Sequence, residues 1–318
     1  MFGVRGSVFD NRFMKKFAGI YTPIVTPFRA DDTLDEQGLK ANVARWMTTP
    51  LTGLVVLGSN GEAPQLEDAE ADRVIEIVRA GMPTDRPMIV GTGRESTKAT
   101  IAATKRAAKL GADVALVRTP SFFKLQMTTP TFVRHYTEVA DASPIPVFLY
   151  NVTMYTGVNM LPDAVATLAQ HPNIGGMKES GSDIVQIGDY VARTPDDFVI
   201  LAGSASSMFA ALLAGCDGAI LALAALAPDA CVELHRLIRD GRVDEARALQ
   251  QRLLPLARAI GDAQRGVPGL KAALNLMGYT GGVPRPPLRP LAAGDTGGIR
   301  TQLDALGLLE PVAASSRT

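Results

Sequence analysis

The chain has 318 residues, 47% of them hydrophobic and 20% charged, a length and composition that allow a large buried core. Lysine plus arginine and aspartate plus glutamate both number 32, so the formal charge is zero and no basic excess points to nucleic acid or an anionic membrane. The longest apolar run, residues 219–227, is far too short to span a bilayer.

The two cysteines, Cys216 and Cys231, have neither CxxC nor metal-ligand spacing. They read as buried free thiols of a reducing compartment. Residues 1–17 mix Arg5, Asp10, Arg12, Lys15 and Lys16 with scattered apolar residues. That pattern lacks the apolar core of a secretory signal and reads as a loose arm, so the expected location is the cytoplasm.

From residue 18 the pattern is regular. Residues 20–26 form a β-rich run ending in Thr-Pro. Residues 35–47 have helical periodicity with Asp35 as N-cap. Residues 53–57 are a second apolar run, closed by Gly58-Ser59-Asn60-Gly61-Glu62. A helix over 67–81 ends at Gly81. Strands follow at 88–90, 114–117, 147–150, 174–178, 198–201 and 219–221. Helices between and after them cover 96–110, 130–142, 162–170, 183–192 and 206–214, and another starts at Pro228. Continuous apolar strands alternating with amphipathic helices predict a parallel sheet covered by helices. Eight such units predict a (β/α)₈ barrel, a TIM barrel. A doubly wound sheet is the alternative, weakened because neither GxGxxG nor a P-loop is present. The organisation expected is an arm over 1–17, a barrel over 18–240, a helical C-terminal extension over 241–290 and a tail over 291–318. Residues 281–290 hold four prolines and read as loop, and 312–318 read as disordered.

Active sites of this fold lie at the C-terminal ends of the strands. The residues there are Thr26, Ser59, Asn60, Glu62, Thr119, Tyr150, Asn151, Lys178, Ser180, Gly203 and Ser204. Lys178 stands out. It ends the buried run Ile174-Gly175-Gly176-Met177, and a polar loop follows it. An ammonium in a partly desolvated barrel mouth has a lowered pKa and becomes a nucleophile for a carbonyl carbon. Taken alone, the segment also fits a surface lysine at a strand end. His135, His171 and His235 fall in or beside helices, which argues against a metal site and leaves a Ser-His-Asp triad without its base. One amine, one phenol and several small donors suit Schiff-base chemistry on a 2-oxo acid. Lys178 attacks the ketone, Tyr150 moves the proton that releases water, and the Gly58–Gly61 loop binds the carboxylate. Taken singly, Tyr150 also fits a core tyrosine and the glycine loop a plain turn. Glu62 is expected to cap or orient that loop, Glu179 to form an outer-layer ion pair, and Lys271 to be solvated.

These residues fall in three motifs. Gly58-Ser59-Asn60-Gly61-Glu62 fits G-[ST]-x-G-E, Tyr150-Asn151-Val152 with Thr156-Gly157 fits Y-N-x-x-x-x-T-G, and Gly176-Met177-Lys178-Glu179-Ser180 fits G-x-K-[DE]-[ST]. In this order they resemble the dihydrodipicolinate synthase and N-acetylneuraminate lyase family of class I, Schiff-base, pyruvate-type aldolases, over about residues 18–290. The resemblance implies Lys178 as the Schiff-base lysine and Tyr150 as the proton relay. It also implies Ser59 and Asn60 as carboxylate binders, Ser180 and Gly203 as pocket lining, no cofactor or metal, and a homotetramer built as a dimer of dimers.

Two departures bear on the substrate. Tyr155 stands where dihydrodipicolinate synthases carry an arginine for the second substrate's carboxylate. Ser121, Phe122 and Phe123 stand where the family has a tyrosine pair, one of which reaches the neighbouring subunit's site. The motif Gly-Ser-Asn-Gly-Glu, together with Ser143-Pro144-Ile145-Pro146, His171-Pro172-Asn173-Ile174 and Gly269-Leu270-Lys271, looks most like 4-hydroxy-2-oxoglutarate aldolases, which yield pyruvate and glyoxylate. Arg118 is a candidate for a distal carboxylate or a structural ion pair. The reading is therefore a pyruvate-dependent carbon–carbon lyase with 4-hydroxy-2-oxoglutarate as expected substrate. Dihydrodipicolinate synthase and a sugar-acid aldolase or dehydratase are the alternatives within the family. A barrel that binds an oxo acid without turnover, or a purely structural one, is the alternative outside it.

Overall fold

A computed structural model describes residues 11–261 and 265–309 of the chain, with only the backbone described at 11–13 and 293. The barrel expected from the alternation is present. Its strands are β1 (Gly19–Pro23), β2 (Gly53–Val56), β3 (Met88–Gly91), β4 (Val114–Arg118), β5 (Val147–Asn151), β6 (Ile174–Glu179), β7 (Val199–Ala202) and β8 (Gly218–Ile220). They pair in parallel in chain order, and β8 closes on β1. The helices around them are α1 (Glu36–Met47), α2 (Asp68–Gly81), α3 (Thr97–Lys109), α4 (Thr129–Ala142), a short α5 (Thr153–Thr156), α6 (Pro162–Leu168), α7 (Ile184–Arg193), α8 (Met208–Leu213) and α9 (Pro228–Arg239). Three more follow the barrel, α10 (Val243–Gly261), α11 (Gly266–Leu276) and α12 (Ala293–Ala305). Among the described residues no helix is long and apolar enough to cross a membrane.

Local chemistry starts the helices where the sequence indicates. The Asp35 carboxylate accepts from Gly38 N at 3.0 Å, and Ser96 Oγ accepts from Ala99 N at 3.1 Å. Asp183 caps Val185 N and Gln186 N, while Glu67 and Glu70 form a reciprocal capping box.

The strands separate two cores. Inward residues such as Tyr21, Val55, Ile89, Leu116, Phe148 and Leu201 fill the barrel; the alternate residues pack outward under the helices. The 3-10 turn Asn11–Phe17 corrects the reading of 1–17 as a loose arm. Met14 and Phe17 are buried in the barrel's inner core, and Phe17 meets Phe148 edge-to-face at 5.8 Å. Residues 1–10 lie outside the described part.

The expected tail over 291–318 also needs correction, because α12 buries Ile299 and Leu303 completely. Gly294, Gly297 and Gly298 hide this helix from propensity reasoning, each costing about 1 kcal/mol relative to alanine. The two apolar residues, four apart on one face, hold it by tertiary burial. Residues 310–318, including the expected disordered end, lie outside the described part.

Candidate active site

Strand β6 sets the centre. Gly176 and Lys178 point into the barrel, while Met177 belongs to the outer core. A Cβ at Gly176 would come within 2.9 Å of the Phe148 ring, so the glycine gives that ring room to fill the barrel below the site. Above this apolar layer Lys178 is 4% exposed. Register pairs it with Tyr150 on β5. Lys178 Nζ lies 3.4 Å from Tyr150 Oη and 4.5 Å from the ring centroid.

The loop after β2 supplies the next group, as Ser59 Oγ lies 3.2 Å from Tyr150 Oη. The loop is bracketed by two non-glycine residues with left-handed backbone, Leu57 at φ 56° and Glu62 at φ 57°. Such conformations persist where surrounding contacts over-determine them. One of those contacts is Thr26 Oγ1, which donates to the Gly61 carbonyl at 2.7 Å.

On the other side, Ser180 N donates to the Asn151 carbonyl at 3.0 Å and Gly203 N to the Glu179 carbonyl at 2.6 Å. These bonds stitch the ends of β5, β6 and β7 together. The six residues given site roles by the resemblance, Lys178, Tyr150, Ser59, Asn60, Ser180 and Gly203, line one cavity of about 140 Å³ with Ser204, while Thr26, Glu62, Thr119 and Asn151 do not line it.

Sequence reasoning missed the roof of this cavity. Ala257 and Ile260 of α10, Gly266 of α11 and Met154 of α5 line it, beside Tyr155, which the sequence places at the family's substrate-arginine position. The apolar face of α10 was the available signal, but nothing local says which surface that face covers. Among the described lining residues Lys178 is the one charged side chain; the other polar groups are hydroxyls and amides.

Several expected roles change. Glu179 forms no outer-layer ion pair. It is buried, accepts from Asn151 Nδ2 at 2.7 Å and from Gly181 N at 2.5 Å, and burial raises its pKa. Lys271 is not solvated. It is 1% exposed and bonds Glu62 Oε1 at 2.5 Å.

Arg118 pairs with Glu95 at 2.8 Å, and Glu95 also accepts from Ser121 N and Phe122 N. It lines a neighbouring cavity of about 310 Å³ that shares Ser59 and Tyr150, and it does not line the cavity around Lys178. Phe122, Phe123 and Leu125 are exposed.

The histidines lie outside the site. His135 Nδ1 meets Thr97 Oγ1 at 2.9 Å, and burial lowers its pKa to about 4. His171 pairs with Asp141 at 3.1 Å, and burial lowers the pKa of His235. Among the described residues no cluster of three or more His, Cys, Asp or Glu is placed to hold a metal ion.

A (β/α)₈ barrel with a buried amine beside a phenol at its C-terminal mouth is the architecture of a class I carbon–carbon lyase. Comparison with known proteins agrees with that class. The model of the dihydrodipicolinate synthetase family matches residues 16–305. A 4-hydroxy-tetrahydrodipicolinate synthase of Methanothrix thermoacetophila is 36% identical over 277 residues, 87% of this chain and 92% of that protein. A solved monomeric dihydrodipicolinate synthase variant superposes with a TM-score of 0.88 at 33% identity, covering 93% of this chain and 99% of the other. A prophage protein of the dihydrodipicolinic acid synthase family from E. coli K12, solved in complex with pyruvate, gives 0.86 at 31% identity over 92% and 99% of the two chains. The chain belongs to the dihydrodipicolinate synthetase family.

Proposed function

We propose that this protein is a pyruvate-dependent lyase in which Lys178 is the nucleophile and Tyr150 the acid–base group. One observation carries the reading: Lys178 Nζ, Tyr150 Oη and Ser59 Oγ form a chain with steps of 3.4 and 3.2 Å along the wall of one cavity. The pyruvate found in a family relative supports it.

In this mechanism the neutral Lys178 amine adds to the C2 carbonyl of the oxo acid. Tyr150 protonates the departing hydroxyl, and water leaves as the iminium forms. Ser59 passes a proton to and from Tyr150. The iminium draws electrons from C3, so the Tyr150 phenolate left by the loss of water takes a C3 proton and an enamine forms. The enamine carbon adds to an aldehyde whose oxygen takes the proton from Tyr150, the iminium returns, and water adds to it to release the product and the Lys178 amine. Cleavage runs the same steps backward. Ser59, Asn60 and the backbone N–H groups of their loop hold the oxo-acid carboxylate, while Ser180 and Gly203 shape the opposite wall.

For the aldehyde half we propose glyoxylate, which makes the cleaved substrate 4-hydroxy-2-oxoglutarate. The small cavity and its charge inventory favour this. Aspartate semialdehyde carries both an ammonium and a carboxylate, and the described lining offers no ionic partner beyond Lys178. Glyoxylate adds a single carboxylate, for which Ser204, Ser206 and Tyr155 are the available donors. The names of the relatives favour the second reading, condensation of pyruvate with aspartate semialdehyde. Exposed Phe122, Phe123 and Leu125 support assembly into a homotetramer, and the two buried free thiols fit the cytoplasm.

The test is borohydride reduction in the presence of pyruvate, read by peptide mass, followed by turnover with each aldehyde. An adduct on Lys178, lost in Lys178→Ala, is expected, with turnover on glyoxylate. An adduct on another residue would overturn the mechanism, and turnover on aspartate semialdehyde alone would overturn the substrate.

A further inference from the structure

Behind the Ser59–Asn60 loop, and not lining the cavity, lies a charge cluster built on the fully buried pair Lys271–Glu62. Lys271 of α11 donates to the Thr26 carbonyl at 2.8 Å and the Val283 carbonyl at 2.7 Å, and its ammonium pairs with Glu62 Oε1 at 2.5 Å. Glu62 Oε2 accepts from Arg285 N at 2.8 Å. The Arg285 guanidinium grips both oxygens of Glu70, at 2.6 and 2.7 Å, and Asp32 Oδ1 at 2.9 Å. Lys271 and Arg285 lie over the Phe28 ring at 4.7 and 4.1 Å. One ammonium therefore ties together the chain after β1, the loop after β2 and the segment after α11.

Two physical facts make this more than a stabilising bridge. A fully buried ion pair is a weak source of net stability, because desolvation offsets most of its attraction and an apolar pair of equal volume often does as well. What it does supply is geometry, since the ammonium is held by two backbone carbonyls and the carboxylate by Arg285 N, so the pair meets in one arrangement. Glu62 is also the left-handed residue that ends the loop. Its side chain, clamped between Lys271 and Arg285 N, holds that backbone twist, and the twist sets where Ser59 and Asn60 sit.

We infer that Lys271 and Glu62 are positioning residues, through which the C-terminal extension holds Ser59 and Asn60 in place to receive the 2-oxo acid carboxylate and to contact Tyr150. The inference rests on the functional reading of that loop given above. It assigns the segment from α11 to residue 285 a part in catalysis without contact with substrate.

The experiment compares the full-length wild type, Lys271→Met, and the double variant Glu62→Gln/Lys271→Met. The single variant strands a buried carboxylate and is the one at risk of misfolding. The double variant removes both charges, while the amide oxygen introduced by Glu62→Gln still accepts from Arg285 N. Two readouts are taken on the folded double variant: the KM for pyruvate in borohydride capture, and hydrogen exchange of the peptide spanning residues 57–63. The inference expects KM to rise tenfold or more, faster exchange in that peptide, and an unchanged pH midpoint of capture, because Lys178 keeps its surroundings. A merely structural role would lower the melting temperature while the folded fraction kept its KM. A folded double variant with wild-type KM and wild-type loop exchange would overturn the inference. Wild-type protein that captures no 2-oxo acid would refute the functional reading, and loop exchange would then decide the positioning role by itself.

Discussion

Gly203→Ala tests the fit between the ends of β6 and β7. A Cβ built on Gly203 falls 2.1 Å from Ser180 Oγ, 2.8 Å from Ser180 Cα and 2.9 Å from Ser180 Cβ. The Oγ can rotate away, but the Cα cannot. Restoring an ordinary carbon–carbon separation of about 3.5 Å requires the strand ends to part by several tenths of an ångström. That movement acts directly on the Gly203 N to Glu179 carbonyl bond, 2.6 Å long. Overpacking of this kind costs about 1–3 kcal/mol, and a weakened buried hydrogen bond adds about 1 kcal/mol. With an unfolding entropy of about 2 cal/mol/K per residue, a loss of about 2–4 kcal/mol lowers Tm by about 3–6 °C in a chain of this length. Gly203 has no left-handed φ, so the effect is steric and not conformational. The same shift displaces Ser180 and the backbone beside Lys178, and misplacement on this scale costs about 10–100-fold in rate. The assay is the second-order rate of pyruvate capture by borohydride, with Tm measured on the same samples. A variant with wild-type capture and a Tm within a degree of wild type would show that the wall at Gly203 does not constrain the site.

Three further outcomes are expected. Tyr150→Phe removes the hydroxyl between Lys178 and Ser59, and turnover should fall by about 10²-fold or more, the scale of a lost acid–base group; an unchanged rate would remove Tyr150 from the mechanism. His135 has a folded pKa of about 4 against 6.5 for its ordinary value, so the unfolded chain binds the proton more readily. Its contribution is complete above pH 6.5 and is lost as pH falls toward 4, about 2 kcal/mol between pH 7 and pH 5. In His135→Phe that part of the acid-side loss should vanish in urea melts at the two pH values, and an undiminished loss would assign it elsewhere. Replacing Phe122 and Phe123 together by Asp should shift the sedimentation coefficient toward monomer, because both side chains are exposed apolar surface in the single chain; an unchanged oligomer would place the interface on another face.

The eight strand–helix units and the three motifs were legible in the sequence because each is set locally. A buried parallel strand is a short apolar run, a helix has its 3.6-residue stripe and cap, and barrel strands present their catalytic ends on one face. Alternation also put Lys178 inside the barrel and Glu179 outside it. What alternation could not give was the partner of Glu179, because Asn151 is fixed by the β5–β6 register.

The same limit explains the other corrections. Lys271 looks like a surface lysine in its own helix, and only the packing of α11 against the loop after β2 brings Glu62 to it and removes the water that would otherwise solvate both. Met14 and Phe17 are two apolar residues in a charged stretch until the barrel floor offers them a core. The helix α12 has a poor intrinsic propensity and exists through the burial of Ile299 and Leu303. The sequence by itself determined the barrel and the chemical groups at its mouth, since those follow from short-range pattern. The helices that cover the cavity, the single charged side chain among its described lining residues and the Lys271–Glu62 pair behind the Ser59–Asn60 loop were decided by tertiary structure alone, because they depend on contacts between residues far apart in the chain, for which no local periodicity carries information.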